Sequence, residues 1–296
     1  MNYDVIVIGE GVSGLACAGH ARRAGLRVAT FEANLFGGLV INVNELDGYP
    51  GAESGTLLAS DLMQANSDAG VTSIQSEVTS FRSVGGAFEV SAGSLYGARQ
   101  VVIASGARLK KLGVPGEVEY EGRGVSHCAD CDAPLFQGED VVVVGGGDSA
   151  LQEALVLAKF CRRVHIVHRG SRFRAQQHLM DRVASEPRIA TIWNAAVEAI
   201  LGTKMVEKVR LKRDGKTEDL PSAGVFAYVG LEPNASCAPS SVVRDGGGRL
   251  ITDDGCETSL AGVWAIGAVR AGYSGLLRDA VVEAQRVAAA VRDRLD

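Results

Sequence analysis

No stretch of this 296-residue chain is apolar and uncharged for long enough to cross a bilayer, which excludes a membrane-spanning helix. Lysines and arginines are nowhere clustered, and a formal charge of −5 leaves no basic footprint for nucleic acid and no polybasic patch for a membrane surface. The opening residues, "MNYDVIVIGEG", are strand-like and not a charged and apolar leader, so a soluble cytoplasmic protein is the expectation. Cysteine is also scarce. Cys17, Cys161, Cys237 and Cys256 are scattered, unlike a secreted disulfide framework, and read as small buried or half-exposed side chains. Cys128 and Cys131 alone lie close together, and without a second pair at ligand spacing they leave a zinc ribbon short of its four ligands.

What is present is a pattern that occurs twice. "YDVIVIG" reads as a buried strand, "GVSGLACAGHARRAG" as a helix ending at Gly25, and "LRVATFEA" as a second strand. The same order returns in "EDVVVVGGG", "DSALQEALVLAKFC" and "RRVHIVHRG". Strand, helix, strand within a few tens of residues is the unit of a parallel sheet. The length accommodates two domains. Between the units "GAFEVSAGSLYGARQVVIAS" alternates like antiparallel or edge strands. After them come a hairpin and buried strand in "KVRLKRDGKTEDLPSAGVFAYVG", a loop in "GLEPNASCAPSS", a strand in "GVWAIGA" and a C-terminal helix. The expected fold is α/β, two Rossmann-like dinucleotide-binding domains of three ββα layers, the second inserted in the first. The boundaries are 1–113 with 237–296, and 114–236.

In "GEGVSG", Gly9 permits a tight turn, Gly11 lets backbone approach a pyrophosphate at a helix N-terminus, and Gly14 lets helix pack on strand. Glu32 ends the next strand, where a carboxylate can accept from ribose hydroxyls. The second fingerprint is Gly145, Gly147 and Ala150 in "GGGDSA", and its second strand ends in His168 and Arg169, with Arg174 beyond. Arginine there pairs with a 2′-phosphate that a carboxylate would repel, which favours NADP; the plainer reading is solvated basic residues after a strand. The cysteines of "SHCADCDAP" read either as two buried thiols or as a redox couple. Their place beside a nucleotide-binding unit favours the couple, with Asp132 set to give or take a proton.

Taken in order, "GGLVINVNELDGYPG", "IASGA", "GRGVSHCADCD", "GGGDSALQEAL", "VHRGSRFRA" and "VFAYVGLEPN" resemble the low-molecular-weight thioredoxin reductases and related pyridine nucleotide-disulfide oxidoreductases over essentially the whole chain. The resemblance implies a homodimeric flavoprotein. In it the discontinuous domain holds FAD, and the insert holds NADPH and the cysteine pair and rotates between two settings. Electrons would pass from NADPH through FAD to the disulfide, then to a thioredoxin-like protein or a small disulfide substrate. Carried onto this chain, Cys131 faces the flavin, Cys128 attacks the partner and Asp132 is acid and base. Gly9, Gly11, Ser13, Gly14, Glu32, Gly38, Asn44, Ala104, Gly106, Gly267, Arg278 and Asp279 fall to the FAD side. Gly145, Gly147, Asp148, Ser149, Ala150, His168, Arg169, Arg174 and Gly230 fall to the nicotinamide nucleotide.

The sequence departs from that pattern at four places. Gly170 replaces an arginine of the 2′-phosphate motif, which leaves NADH open beside NADPH. Ala268 stands where the family has the aspartate that binds the ribityl chain. Leu39 and Asp279 stand where glutamine is usual. These substitutions keep three other readings in view: a dithiol oxidase, a member with another electron donor, and a binding protein without turnover. Relatives of the oxidase kind usually carry histidine where this chain has Asp132.

Overall fold

The computed structural model describes residues 2–43, 46 and 51–295. The chain separates into two compact units, Met1–Arg108 with Glu232–Asp296, and Leu109–Leu231. Both crossings lie a few residues before the boundaries read from the sequence.

The first unit begins with β1 (Asn2–Ile8), α1 (Val12–Arg23) and β2 (Val28–Glu32). There follow α2 (Gly55–Ala69), β3 (Thr72–Gln75), β4 (Ser80–Val84), β5 (Ala87–Ala92), β6 (Ser94–Ile103) and β7 (Ala107–Leu109). β1 is central because its apolar run serves two faces. Ile6 and Ile8 enter one core with Phe31 and Phe88, while Val5 and Val7 enter another with Ala16 and Cys17 of α1. A strand covered on both sides must be apolar at every position, which is why period-two alternation is missing there. It pairs in parallel with β2 and β6, and the sheet runs β3-β2-β1-β6-β5-β4 with the last three strands antiparallel.

The second unit starts with β8 (Val125–Ser126), the short helix α3 (Ala129–Asp132), β9 (Asp140–Gly145), α4 (Asp148–Ala158) and β10 (Arg163–His168). It continues through α5 (Gln177–Ser185), β11 (Ile189–Trp193), β12 (Ala195–Gly202), β13 (Val206–Arg213), β14 (Lys216–Pro221) and β15 (Gly224–Tyr228). Five parallel strands run β11-β10-β9-β15-β8, and β12-β13-β14 form a separate antiparallel sheet. β9 repeats the logic of β1. Val141 and Val143 pack with Leu151 and Ala154 of α4, whereas Val142 and Val144 face a core with Val209 and Leu211 of β13.

The chain then returns through β16 (Leu231–Pro233) to β17 (Val263–Ala265) and α6 (Leu277–Asp293). The composition of "GLEPNASCAPSS" predicts a loop, but Leu231–Pro233 form a strand. Its partner is β7, distant in sequence, and a pairing of that kind leaves no local periodicity to read. β17 adds to β6 in parallel, and α6 buries Ala284, Val287 and Val291 in the core shared with α1.

Candidate functional site

The first fingerprint lies where β1 ends. Gly14 lies so close to the turn that a Cβ there would stand 2.0 Å from the Gly9 carbonyl oxygen. Gly9 itself has φ +104°, and a Cβ would meet Ala104 O at 2.5 Å. Gly11 caps α1 without a side-chain hydrogen bond, and no acidic residue occupies the helix's first turn. That combination leaves the positive end of the helix to an anion. Gly11 also bridges to Gly37, and a Cβ on Gly38 would contact Gly11 Cα at 3.5 Å. Ala104, at the end of β6, donates its amide to Ile8 O at 2.8 Å. Gly106 follows two residues later with φ +65°. Gly267 meets the same helix end, since a Cβ there would stand 2.4 Å from Ser13 Oγ. The cradle therefore forms at the carboxyl ends of β1, β6 and β17, where an open α/β sheet takes its ligand.

Glu32 ends β2, and its two oxygens accept from Glu10 N at 2.9 Å and Asn34 N at 3.0 Å. Arg278 is exposed at the start of α6, and Asp279 beside it accepts from Ser274 Oγ at 2.6 Å. Leu39 is exposed. Asn44 lies outside the described residues.

Two carboxylates of this unit escape a reading limited to the glycine motif. Glu10 is buried, and its Oε1 accepts from Thr30 Oγ1 at 2.5 Å and Ser73 Oγ at 2.6 Å. Glu283 accepts from Gly267 N at 2.9 Å and pairs with Arg270 at 3.3 Å. The one signal for Glu10 is a charged residue inside the fingerprint. Glu283 has a sharper one: a carboxylate in the otherwise apolar stripe of α6.

In the second unit a cavity of about 570 Å³ opens over the glycine loop, lined by Gly145–Ala150, His168, Arg169, Arg174, Tyr228 and Gly230 among others. Gly145 admits no side chain, because a Cβ would stand 2.5 Å from Tyr228 O and 2.7 Å from Ala150 Cβ. Gly147 caps α4 facing open space. Asp148 is tied to Gln176, whose amide and side chain donate to it at 2.7 and 2.8 Å. Ser149 is exposed beside it. The arginines differ from His168. Arg169 and Arg174 are exposed around a second cavity that His168 also lines, and neither has an ion-pair partner among the described residues. His168 is buried, its Nε2 3.0 Å from Arg172 O and its ring packed on Phe173 and Trp193.

Cys128 and Cys131 form a disulfide, with Cα atoms 5.3 Å apart, between the end of edge strand β8 and α3. Ser126 holds both sides of the turn. Its Oγ accepts from Cys128 N at 3.1 Å and donates to Asp132 Oδ2 at 2.6 Å. Behind the turn, Ala129 N donates to Glu153 Oε2 at 2.9 Å, and the Tyr228 hydroxyl donates to the same oxygen at 3.0 Å. Burial raises the Glu153 carboxyl above the usual carboxylate range, with hydrogen bonds from Tyr228 and from the Ala129 and Asp130 amides opposing it and the charge of Asp130 adding to it. Burial and the Glu153 charge raise the Tyr228 hydroxyl. The other four cysteines are buried and free.

A glycine-framed helix terminus in each unit, with a disulfide in the second, defines a dinucleotide-dependent disulfide oxidoreductase. The chain belongs to the pyridine nucleotide-disulphide oxidoreductase family, whose pattern matches residues 3–292. It is 38% identical to thioredoxin reductase of Treponema pallidum (strain Nichols) over 276 residues, 91% of this chain and 90% of that protein. With thioredoxin reductase of Listeria innocua it shares 40% over 275 residues, 91% of this chain and 86% of that one. The crystal structure of Lactococcus lactis thioredoxin reductase superposes with a TM-score of 0.95 at 33% identity, covering 98% of each chain.

Proposed function

We propose that this enzyme moves electrons from NADPH through FAD and the Cys128–Cys131 disulfide to a thioredoxin-like protein or a small disulfide. The observation that carries the reading is the bonded cysteine pair in the same unit as a nucleotide-sized cavity edged by two exposed arginines. The uncapped start of α1, enclosed by Gly9, Gly37 and Gly267, fits a pyrophosphate.

Bound FAD supplies a two-electron relay between a nicotinamide and a disulfide. The chain's own residues do the rest. Gly9, Gly11, Ser13 and Gly14 receive the FAD pyrophosphate, with Gly38, Ala104, Gly106 and Gly267 closing the cradle and Glu32 taking the ribose. Gly145, Gly147, Ser149 and Ala150 receive the NADPH pyrophosphate, and Arg169 and Arg174 take its 2′-phosphate. His168 and Asp148 line the same cavity and brace that loop. When two electrons enter the disulfide the S–S bond breaks. Cys128 then attacks the partner's disulfide, Cys131 resolves the mixed disulfide, and Asp132 transfers the proton. On the ribityl side Ala268 brings no acceptor, so FAD is held chiefly through its diphosphate and adenylate end. A homodimer acting in the cytoplasm completes the reading.

Purified protein loaded with FAD is mixed anaerobically with NADPH, and a disulfide acceptor is then added. The expected result is bleaching of the flavin absorbance, followed by acceptor-dependent NADPH oxidation. A flavin that NADPH does not bleach, or an absence of turnover with thioredoxin and with small aromatic disulfides alike, overturns the proposal.

A further inference from the structure

The disulfide turn rests on a buried acidic group that the electron path does not use. Ala129, the residue after Cys128, is fully buried, and its amide reaches Glu153 Oε2 at 2.9 Å with Tyr228 Oη 3.2 Å away. Tyr228 has little freedom to leave. It is buried, it ends β15, and its carbonyl lies where Gly145 would carry a Cβ. Glu153 extends from α4, whose Ala150, Leu151 and Ala154 pack with Ala129 and Ala133 in one core. Three separate elements thus meet at one carboxylate oxygen beneath the cysteines. The disulfide itself has no charge to balance it.

We infer that Glu153 is a positioning residue for the Cys128–Cys131 couple: held by Tyr228, its carboxylate engages the Ala129 amide and sets the acidity of the reduced Cys128 thiol from beneath. Reduction makes the charge matter. Two electrons break the S–S bond, two protons complete the dithiol, and the thiolate that attacks a partner appears as one of those protons leaves. Backbone amides at the start of a helical turn favour a thiolate, and a nearby carboxylate opposes it. Glu153 works against the thiolate on both counts, since it claims the Ala129 amide and adds negative charge next to the turn. The couple is thereby kept as neutral thiols to higher pH than the turn alone would allow.

The other groups around the turn are Asp130 on α3, which also faces Glu153, and Asp132, bonded to Ser126. On the far side His127 Nε2 lies 4.0 Å from Glu121, which pairs with Lys111 at 3.2 Å. The variants below leave all of these in place.

The inference rests on the redox reading of the cysteines. Its test uses neither nicotinamide nor an electron acceptor, so a failure of turnover and a failure of this inference register separately. The full-length protein is reduced with a phosphine, and Cys128 is alkylated with iodoacetamide across pH 5 to 10 and quantified by mass spectrometry. In Glu153→Gln the midpoint of the profile is expected to fall by about one pH unit. Below that midpoint about tenfold more thiolate, offset by its lower intrinsic nucleophilicity, gives about threefold faster alkylation. Tyr228→Phe, which keeps the carboxylate, is expected to move the midpoint much less. If Glu153→Gln does not fold, Glu153→Asp carries the test, because the shorter side chain draws the charge back from the amide and lowers the midpoint by a smaller amount. A Glu153→Gln profile that overlays the wild type, or one that Tyr228→Phe reproduces in full, overturns the inference.

Discussion

Replacing Arg174 by alanine isolates one charge at the nucleotide cavity. The Arg174 amide donates to Gly146 O at 2.8 Å, so the backbone stays tied to the glycine loop when the side chain is removed. The guanidinium is exposed and has no carboxylate partner among the described residues; its loss breaks no internal ion pair. A hydrogen bond between charged groups is worth about 1.5 to 3 kcal/mol, about ten- to a hundredfold in affinity. Exposure and salt screening place this one at the lower end, about tenfold. The KM for NADPH should therefore rise about tenfold while that for NADH, which lacks the 2′-phosphate, changes less than about twofold. Steady-state kinetics with both nucleotides at two ionic strengths provide the assay, and the wild-type preference for NADPH should shrink at high salt. An equal loss with NADH, or an unchanged ratio of the two, refutes the assignment of Arg174. The reverse experiment, Gly170→Arg, adds a cation with little room. A Cβ there stands 3.1 Å from His168 Nε2, and that ring is held by Arg172 O, Phe173 and Trp193. Part of the gain is lost to repacking, and the preference for NADPH should rise by no more than about threefold.

Cys131→Ser should leave Cys128 free to form a mixed disulfide that cannot be resolved internally. A band of added mass on a non-reducing gel with a thioredoxin-like partner, absent in Cys128→Ser, is the expected outcome. Gly14→Ala forces a Cβ to within 2.0 Å of backbone at Gly9, and a clash with backbone costs about 3 kcal/mol or more. A lower Tm together with loss of FAD on gel filtration should follow, with the second unit's nucleotide binding retained. Burial pushes the thiols of Cys17 up to about 12 and of Cys161 and Cys237 up to about 11. These groups are protonated in both states below pH about 8.5, and above it the unfolded thiols ionise first. Stability against urea should accordingly be constant up to that pH and fall toward pH 11 to 12. A fall that begins below pH 8 would rule out the thiols as its cause.

The sequence alone determined the two dinucleotide units and the pairing of motifs with them. Glycine spacing and unbroken apolar runs are local properties, imposed by a backbone that must turn within a few residues and strands that must be covered on both faces. The same holds for Cys128 and Cys131, whose separation of three lies within the reach of a disulfide. Only the tertiary structure decided which carboxylates stand behind those motifs. Glu10 meets hydroxyls from β2 and β3, Glu283 returns from α6 to Gly267, and Glu153 joins Tyr228 and Ala129 from three elements. None of these residues shares a periodic pattern with its partners. A buried charge is settled by what the fold brings within about 3 Å of it, and in each of these cases that neighbour is remote in the chain.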